Sequence, residues 1–157
     1  MELDRFDRRL LNLVQEDAAQ TAERLAEQVN LSPSAVQRRL RRMREQGVIV
    51  RDAAIVDPKK AGGLMTFVVT LVVERDHPES LSPLRAWLAG EESVQEAFYV
   101  TGEAADFILV VTAPSTEAYD ALMSRMVKAN PTVKRYTTHV ALTIVKRGLK
   151  IPIPPDE

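Results

Sequence analysis

The chain has 157 residues, 45% hydrophobic and 27% charged, the balance of an ordinary globular protein rather than a disordered one. It has no cysteine, which excludes disulfides, thiolate metal sites and a cysteine nucleophile and suits a reducing compartment. The net charge of −1 argues against a wholly basic nucleic-acid coat. No signal-peptide pattern and no apolar run of about 18 residues is present, so a cytoplasmic location is expected, with no membrane partner.

Residues 4–16 predict a first helix, with Asp4 placed to cap it and Asp7 in the favourable first turn. Phe6, Leu10, Leu13 and Val14 fall on one face. Thr21 caps a short second helix that buries Leu25, Ala26 and Val29, and Asn30-Leu31 turns tightly into a third. That third helix is marked at both ends. Ser32 suits the N-cap, Pro33 the first helical position, Leu31 and Val36 a hydrophobic staple, and Gly47 the left-handed position beyond the C-terminus.

Val36, Leu40 and Met43 form the apolar stripe of this helix, whereas Ser34, Gln37, Arg38, Arg41 and Arg42 point elsewhere. From Ser32 to Arg51 there are six arginines (38, 39, 41, 42, 44 and 51) against the single acid Glu45. A merely solvated face usually mixes both signs. Arginine also presents a planar fork that fits phosphate oxygens and the guanine edge. Helix, turn and basic helix make the helix-turn-helix pattern. Val48-Ile49-Val50 and residues 53–56 flank Arg51-Asp52 and predict a small hairpin, a wing. Residues 1–57 are therefore expected to form a winged helix-turn-helix domain, and the turn-rich stretch 58–64 a linker.

Residues 65–157 are expected to form a second domain. Strands are predicted at 65–73, 94–101, 107–112 and 133–145, and helices at 78–88 and from Ser115 or Thr116 to Asn130-Pro131. Tyr119, Leu122, Met123, Met126 and Val127 point inward on the second of these helices, where the methionines read as core. The order βαββαβ is a ferredoxin-like split, so the fold class is α+β, a winged helix-turn-helix followed by a ferredoxin-like domain. Two helices can cover only one face of such a sheet, and a second copy of the chain is the simplest cover for the other. The proline-spaced stretch 151–155 is extended and either packs on a neighbouring subunit or frays.

Leu3-Asp4…Asp7…Leu10-Leu11, the stretch from Leu31-Ser32-Pro33-Ser34 through Arg39-Leu40-Arg41-Arg42-Met43 to Gly47-Val48-Ile49, and Val100-Thr101-Gly102…Asp106-Phe107 resemble, in this order and spacing, the Lrp/AsnC family of transcription regulators. The resemblance covers nearly all of the chain. It implies a DNA-binding regulator whose effector domain dimerises through its sheet. It further implies dimers that often assemble into tetramers or octamers, and a small-molecule effector, usually an amino acid, bound near subunit contacts. The family's loop is one residue shorter between glycine and aspartate than Gly102-Glu103-Ala104-Ala105-Asp106.

The DNA-contact candidates are Ser34 and Gln37 at base edges or a nearby phosphate, Arg38 at guanine, and Arg41, Arg42 and Arg51 at phosphates. Arg39 lies beside the apolar stripe, where an internal salt bridge and a DNA contact are both open. For the effector, Gly102 is either a turn residue or the donor of backbone N–H groups to a carboxylate. Asp106 is either a strand-end polar residue or a seat for an amino group. Thr101 and Thr138 follow from the family resemblance. His77 and His139 stand in no metal-ligand pattern, no nucleophile–base constellation is present, and no cofactor is expected. The chain is therefore expected to be no enzyme. Two rival readings remain at this stage, a siroheme-decarboxylase-like enzyme and an architectural DNA-binding protein without an effector.

Overall fold

The computed structural model describes residues 2–74 and 81–154. They fall into two compact units, one running to Ile55 and including the segment from Lys146, the other spanning Val56–Val145.

The first unit is built on three helices, α1 (Arg5–Glu16), α2 (Ala22–Val29) and α3 (Pro33–Glu45). Their ends lie where local chemistry predicts. The Asp4 carboxylate accepts from the backbone N–H groups of Phe6 and Asp7, and the Asp7 carboxylate accepts in return from the Asp4 N–H, a complete capping box. Thr21 and Ser32 cap α2 and α3 through their side-chain oxygens. Asn30 adopts the left-handed conformation (φ 56°) that lets α2 stop and the chain turn into α3 across only Asn30, Leu31 and Ser32. Leu10, Leu25, Val29, Val36 and Met43 form the buried core, and Leu31 packs against it as the staple requires.

The expected wing hairpin does not form. No strand occurs between residues 46 and 64. The Val48 and Ile49 N–H groups donate instead to the Met43 carbonyl (2.9 and 3.1 Å), wrapping the chain back onto the end of α3. A two-residue hairpin turn needs φ above zero at its centre, and neither Arg51 nor Asp52 has it. The second difference is the tail. Residues from Lys146 onward were expected to extend the second domain, yet they pack with the first unit, along α1.

The second unit contains β1 (Met65–Val73), α4 (Ser82–Gly90), β2 (Val94–Tyr99), β3 (Phe107–Ala113), α5 (Thr116–Ala129) and β4 (Val133–Val140). Its sheet runs β2-β3-β1-β4 with every neighbouring pair antiparallel, the order of a ferredoxin-like βαββαβ fold. The turn-rich stretch before β1 is a compact hydrogen-bonded turn, with the Ala61 and Leu64 N–H groups on the Asp57 and Pro58 carbonyls. The predicted start of the first helix, at Pro78, lies outside the described residues, but Leu81, Leu84 and Leu88 are buried as expected. The last strand stops at Val140 rather than 145 because its neighbour runs out. Ala141 already bonds Thr66, one residue from the start of β1, and Leu64 belongs to the preceding turn.

Alternation along β1 divides the sheet. Phe67, Val69, Leu71 and Val73 are buried under α4 and α5, with the Phe67 ring stacked on Tyr119 at 4.0 Å. By register, Val68, Thr70 and Val72 share the opposite face with Ile108, Val110 and Phe98. That face is only partly covered, and Phe98 is half exposed.

Candidate DNA-binding helix and effector loop

The outward surface of α3 follows from its spacing. Ser34, Gln37, Arg38 and Arg41 recur at three, four and seven residues, so they form one stripe opposite buried Val36, Leu40 and Met43. All four are exposed, as are Arg42 and Arg51. Ser34 also shares a hydrogen bond between hydroxyls with the cap residue Ser32 (3.1 Å). Among the described residues, no ion pair engages Arg38, Arg41 or Arg51.

Arg39 and Arg42 stand differently. The Asp7 side chain is almost fully buried, and its two oxygens accept from Arg39 Nη1 (2.8 Å) and Arg42 Nη2 (2.7 Å). Arg39 also reaches Asp4 Oδ2 at 2.7 Å and lies 5.4 Å from the centroid of the Phe6 ring. The internal salt bridge left open for Arg39 is therefore formed. Arg42 keeps about half of its side chain exposed while one nitrogen is held by Asp7. Asp7, placed by its sequence position only at a helix N-terminus, is the counter-ion that ties α3 to α1. The signal for that pairing was present in Arg39, a cation at the edge of an apolar stripe, which needs an acid nearby.

In the second unit the loop between β2 and β3 is closed by the Val100 N–H on the Asp106 carbonyl (2.8 Å). Thr101 and Gly102 are exposed on it. Gly102 has φ 156°, and a Cβ placed there would meet no atom within 4 Å. Asp106 is buried at the base of the loop. Its N–H donates to the Leu71 carbonyl, and its carboxylate accepts from the Val73 N–H (2.8 Å), so it joins the end of β1 to the start of β3. Thr138 lies on β4, opposite Val69 and across β1 from the loop, and its hydroxyl is hydrogen-bonded to that of Tyr119. Burial raises the Tyr119 pKa, and the bond to Thr138 only partly offsets this, so the phenol stays protonated. Within one chain, Thr101 and Gly102 thus share a surface, Asp106 supports it from below, and Thr138 stands apart.

Comparison with known proteins agrees with both halves. Residues 3–50 match the family model described as "Winged helix-turn-helix DNA-binding", and residues 66–151 match that described as "Lrp/AsnC ligand binding domain". The chain is 41% identical to the HTH-type transcriptional regulator y4tD of Sinorhizobium fredii, over 98% of this chain and 90% of that protein. It is 29% identical to the leucine-responsive regulatory protein of Salmonella typhimurium, covering 97% and 92% respectively. The crystal structure of an AsnC family transcriptional regulator from Agrobacterium tumefaciens superposes with a TM-score of 0.86 at 31% identity, covering 96% of this chain and 97% of that one. The chain belongs to the Lrp/AsnC family of DNA-binding transcription regulators, with an effector-binding unit following its helix-turn-helix.

Proposed function

We propose that the chain is a sequence-specific regulator that reads double-stranded DNA with the outward stripe of α3 and adjusts its binding to a small-molecule effector, an amino acid, seated at the Gly102 loop. The observation that carries the DNA half is the opposition of the two faces of α3. One face is sealed into the core, and the other presents Ser34, Gln37, Arg38 and Arg41 to solvent. Arg38, nearer the helix N-terminus, is assigned a base edge. Arg41 and Arg51 are assigned phosphates, and Arg42 a phosphate through the part of its guanidinium not held by Asp7. The effector half rests on the exposed backbone around Gly102 and on the leucine response named for the Salmonella relative. Thr101 is assigned to the same seat, Asp106 to holding the loop's shape, and Thr138 to a seat completed only between subunits.

Selection of binding sites from a random duplex pool tests this, followed by affinity measurements over a range of salt concentrations. The wild-type protein is expected to enrich a two-fold symmetric motif with half-sites about one DNA turn apart or a multiple of it. Arg38→Ala should relax preference at one position of each half-site. Arg41→Ala should weaken binding to all sequences alike and flatten the salt slope by about one unit. Equal, sequence-independent losses from both changes would refute the division of roles. Enrichment of no motif would favour an architectural DNA-binding protein.

A further inference from the structure

The outer flank of α1 grips the tail by its main chain. Asn12 donates from Nδ2 to the Ile153 carbonyl (3.0 Å) and accepts from the Ile153 N–H on Oδ1 (3.3 Å). Gln15 treats Ile151 in the same way, at 3.1 and 2.9 Å. A primary amide carries a donor and an acceptor side by side. Each amide therefore closes onto one residue as a neighbouring strand would. The contacts run antiparallel to the helix, with Lys150 on Glu16, Ile151 on Gln15, Ile153 on Asn12, and the Arg8 guanidinium reaching the Pro154 carbonyl at 3.4 Å.

The tail's sequence fits this flank. The residues that the amides skip are Pro152 and Pro154, which have no N–H to leave unpaired and whose rings favour the extended backbone. Ile153 is partly buried against the core of the three-helix unit. Hydrogen bonds hold the register, an apolar side chain anchors it, and an ion pair closes one end.

We infer that this flank of α1 is a peptide-docking site, that its occupant is the chain's own segment 150–154, and that docking ties the helix-turn-helix to the effector unit at a second point. The chain leaves the first unit after Ile55 and returns to it at Lys146. A single connection leaves a small helical unit free to swivel, whereas two restrict it. The second connection also gives the end of β4 a covalent route to the helix against which α3 is pinned.

The absence of cysteine makes a clean test available. Glu16→Cys and Lys150→Cys, introduced together, replace an ion pair whose side chains touch and leave both amides intact. Treatment of the full chain with a short bismaleimide is expected to link the two cysteines within one polypeptide, which then runs as a monomer on a denaturing gel. Adding Asn12→Ala and Gln15→Ala should slow linking by about tenfold, with circular dichroism confirming that the variant remains folded. Links formed only between polypeptides would overturn the assignment of the occupant, since the tail would then belong to a second copy. A linking rate indifferent to Asn12→Ala and Gln15→Ala would overturn the clamp. The readout requires neither DNA nor effector, so its failure is distinct from failure of the regulator reading. With DNA, the amide variant is expected to bind more weakly than wild type, and the linked protein to retain wild-type affinity; the same affinity in the amide variant as in wild type would overturn the tether.

Discussion

At Asp7 a carboxylate that is only 1% exposed faces two guanidinium groups, and α3 is tied to α1 by that meeting. Removing one partner of a buried ion pair leaves the other charge desolvated and uncompensated, which costs about 3–5 kcal/mol when both partners are fully buried. Here Arg42 is half exposed and Arg39 retains Asp4, so Asp7→Ala is expected to cost about 2–4 kcal/mol in urea unfolding. A loss below about 0.5 kcal/mol would class the cluster with ordinary surface pairs. Asp4, at the edge of this cluster, adds to the acid sensitivity of the fold. Burial acts to raise the Asp4 pKa, but the Asp7 N–H, the bond and charge of Arg39, and the Phe6 N–H outweigh it and hold Asp4 below the ordinary carboxylate value. A carboxylate depressed in the folded state stabilises above its unfolded pKa and loses that contribution as pH falls through the folded value. Stability should therefore decline below about pH 4, and Asp4→Ala should make that decline shallower. What sequence could show of this cluster was a cation beside an apolar stripe. It could not show which of the nearby acids would be sealed in, because that depends on how α1 crosses α3.

Gly102 belongs to the scale of the loop it sits in. A side chain at φ 156° is strained whatever space surrounds it, at a cost of about 1–3 kcal/mol. Gly102→Leu should therefore melt somewhat lower than wild type. It should also lose any thermal stabilisation by an effector that uses the loop's backbone. Melting both proteins with each standard amino acid checks this, and a stabilisation that survives in the variant would place the ligand away from the loop. Elements as a class were legible wherever their determinants are local. Asp4, Thr21 and Ser32 cap as their positions predict, Ser115 is the cap of the two offered for α5, and Asn30 and Gly47 both take the left-handed conformation. The misreadings arose where a non-local term decides. The apolar runs around Arg51-Asp52 have strand composition but no turn to pair them. β4 ends where β1 stops offering partners, a limit set by another strand and invisible in residues 133–145 themselves.

For the whole molecule, the unequal faces of the sheet carry the most weight. The face under α4 and α5 is sealed, with Val69 and Leu71 of β1 and Leu84 of the covering α4 at 0% exposure. The opposite face leaves Val68, Ile108 and Val110 partly covered and Phe98 half exposed. This asymmetry was legible in the sequence because βαββαβ supplies two helices for one face, whereas the docking of the tail on α1 was not, because it is specified by two amides far from it in the chain. A single small DNA-binding module buries only about 600–1,000 Å² on DNA, too little for tight, selective binding. Two modules held at a fixed separation overcome that limit, and pairing of open sheet faces across a two-fold axis would supply the separation. Ile108→Glu tests this, because Ile108 sits between Thr70 and Phe98 on the open face, away from the sealed core. In an isolated chain the glutamate keeps access to water, so folding and the melting temperature should change little. In a paired sheet it would meet its symmetry mate in an apolar contact, where an unneutralised charge is strongly disfavoured. Light scattering should then show a smaller assembly, and affinity for a two-half-site DNA should fall by about tenfold or more, while affinity for a single half-site stays level. A folded variant with unchanged mass and unchanged two-site affinity would show that the subunits meet somewhere other than the sheet.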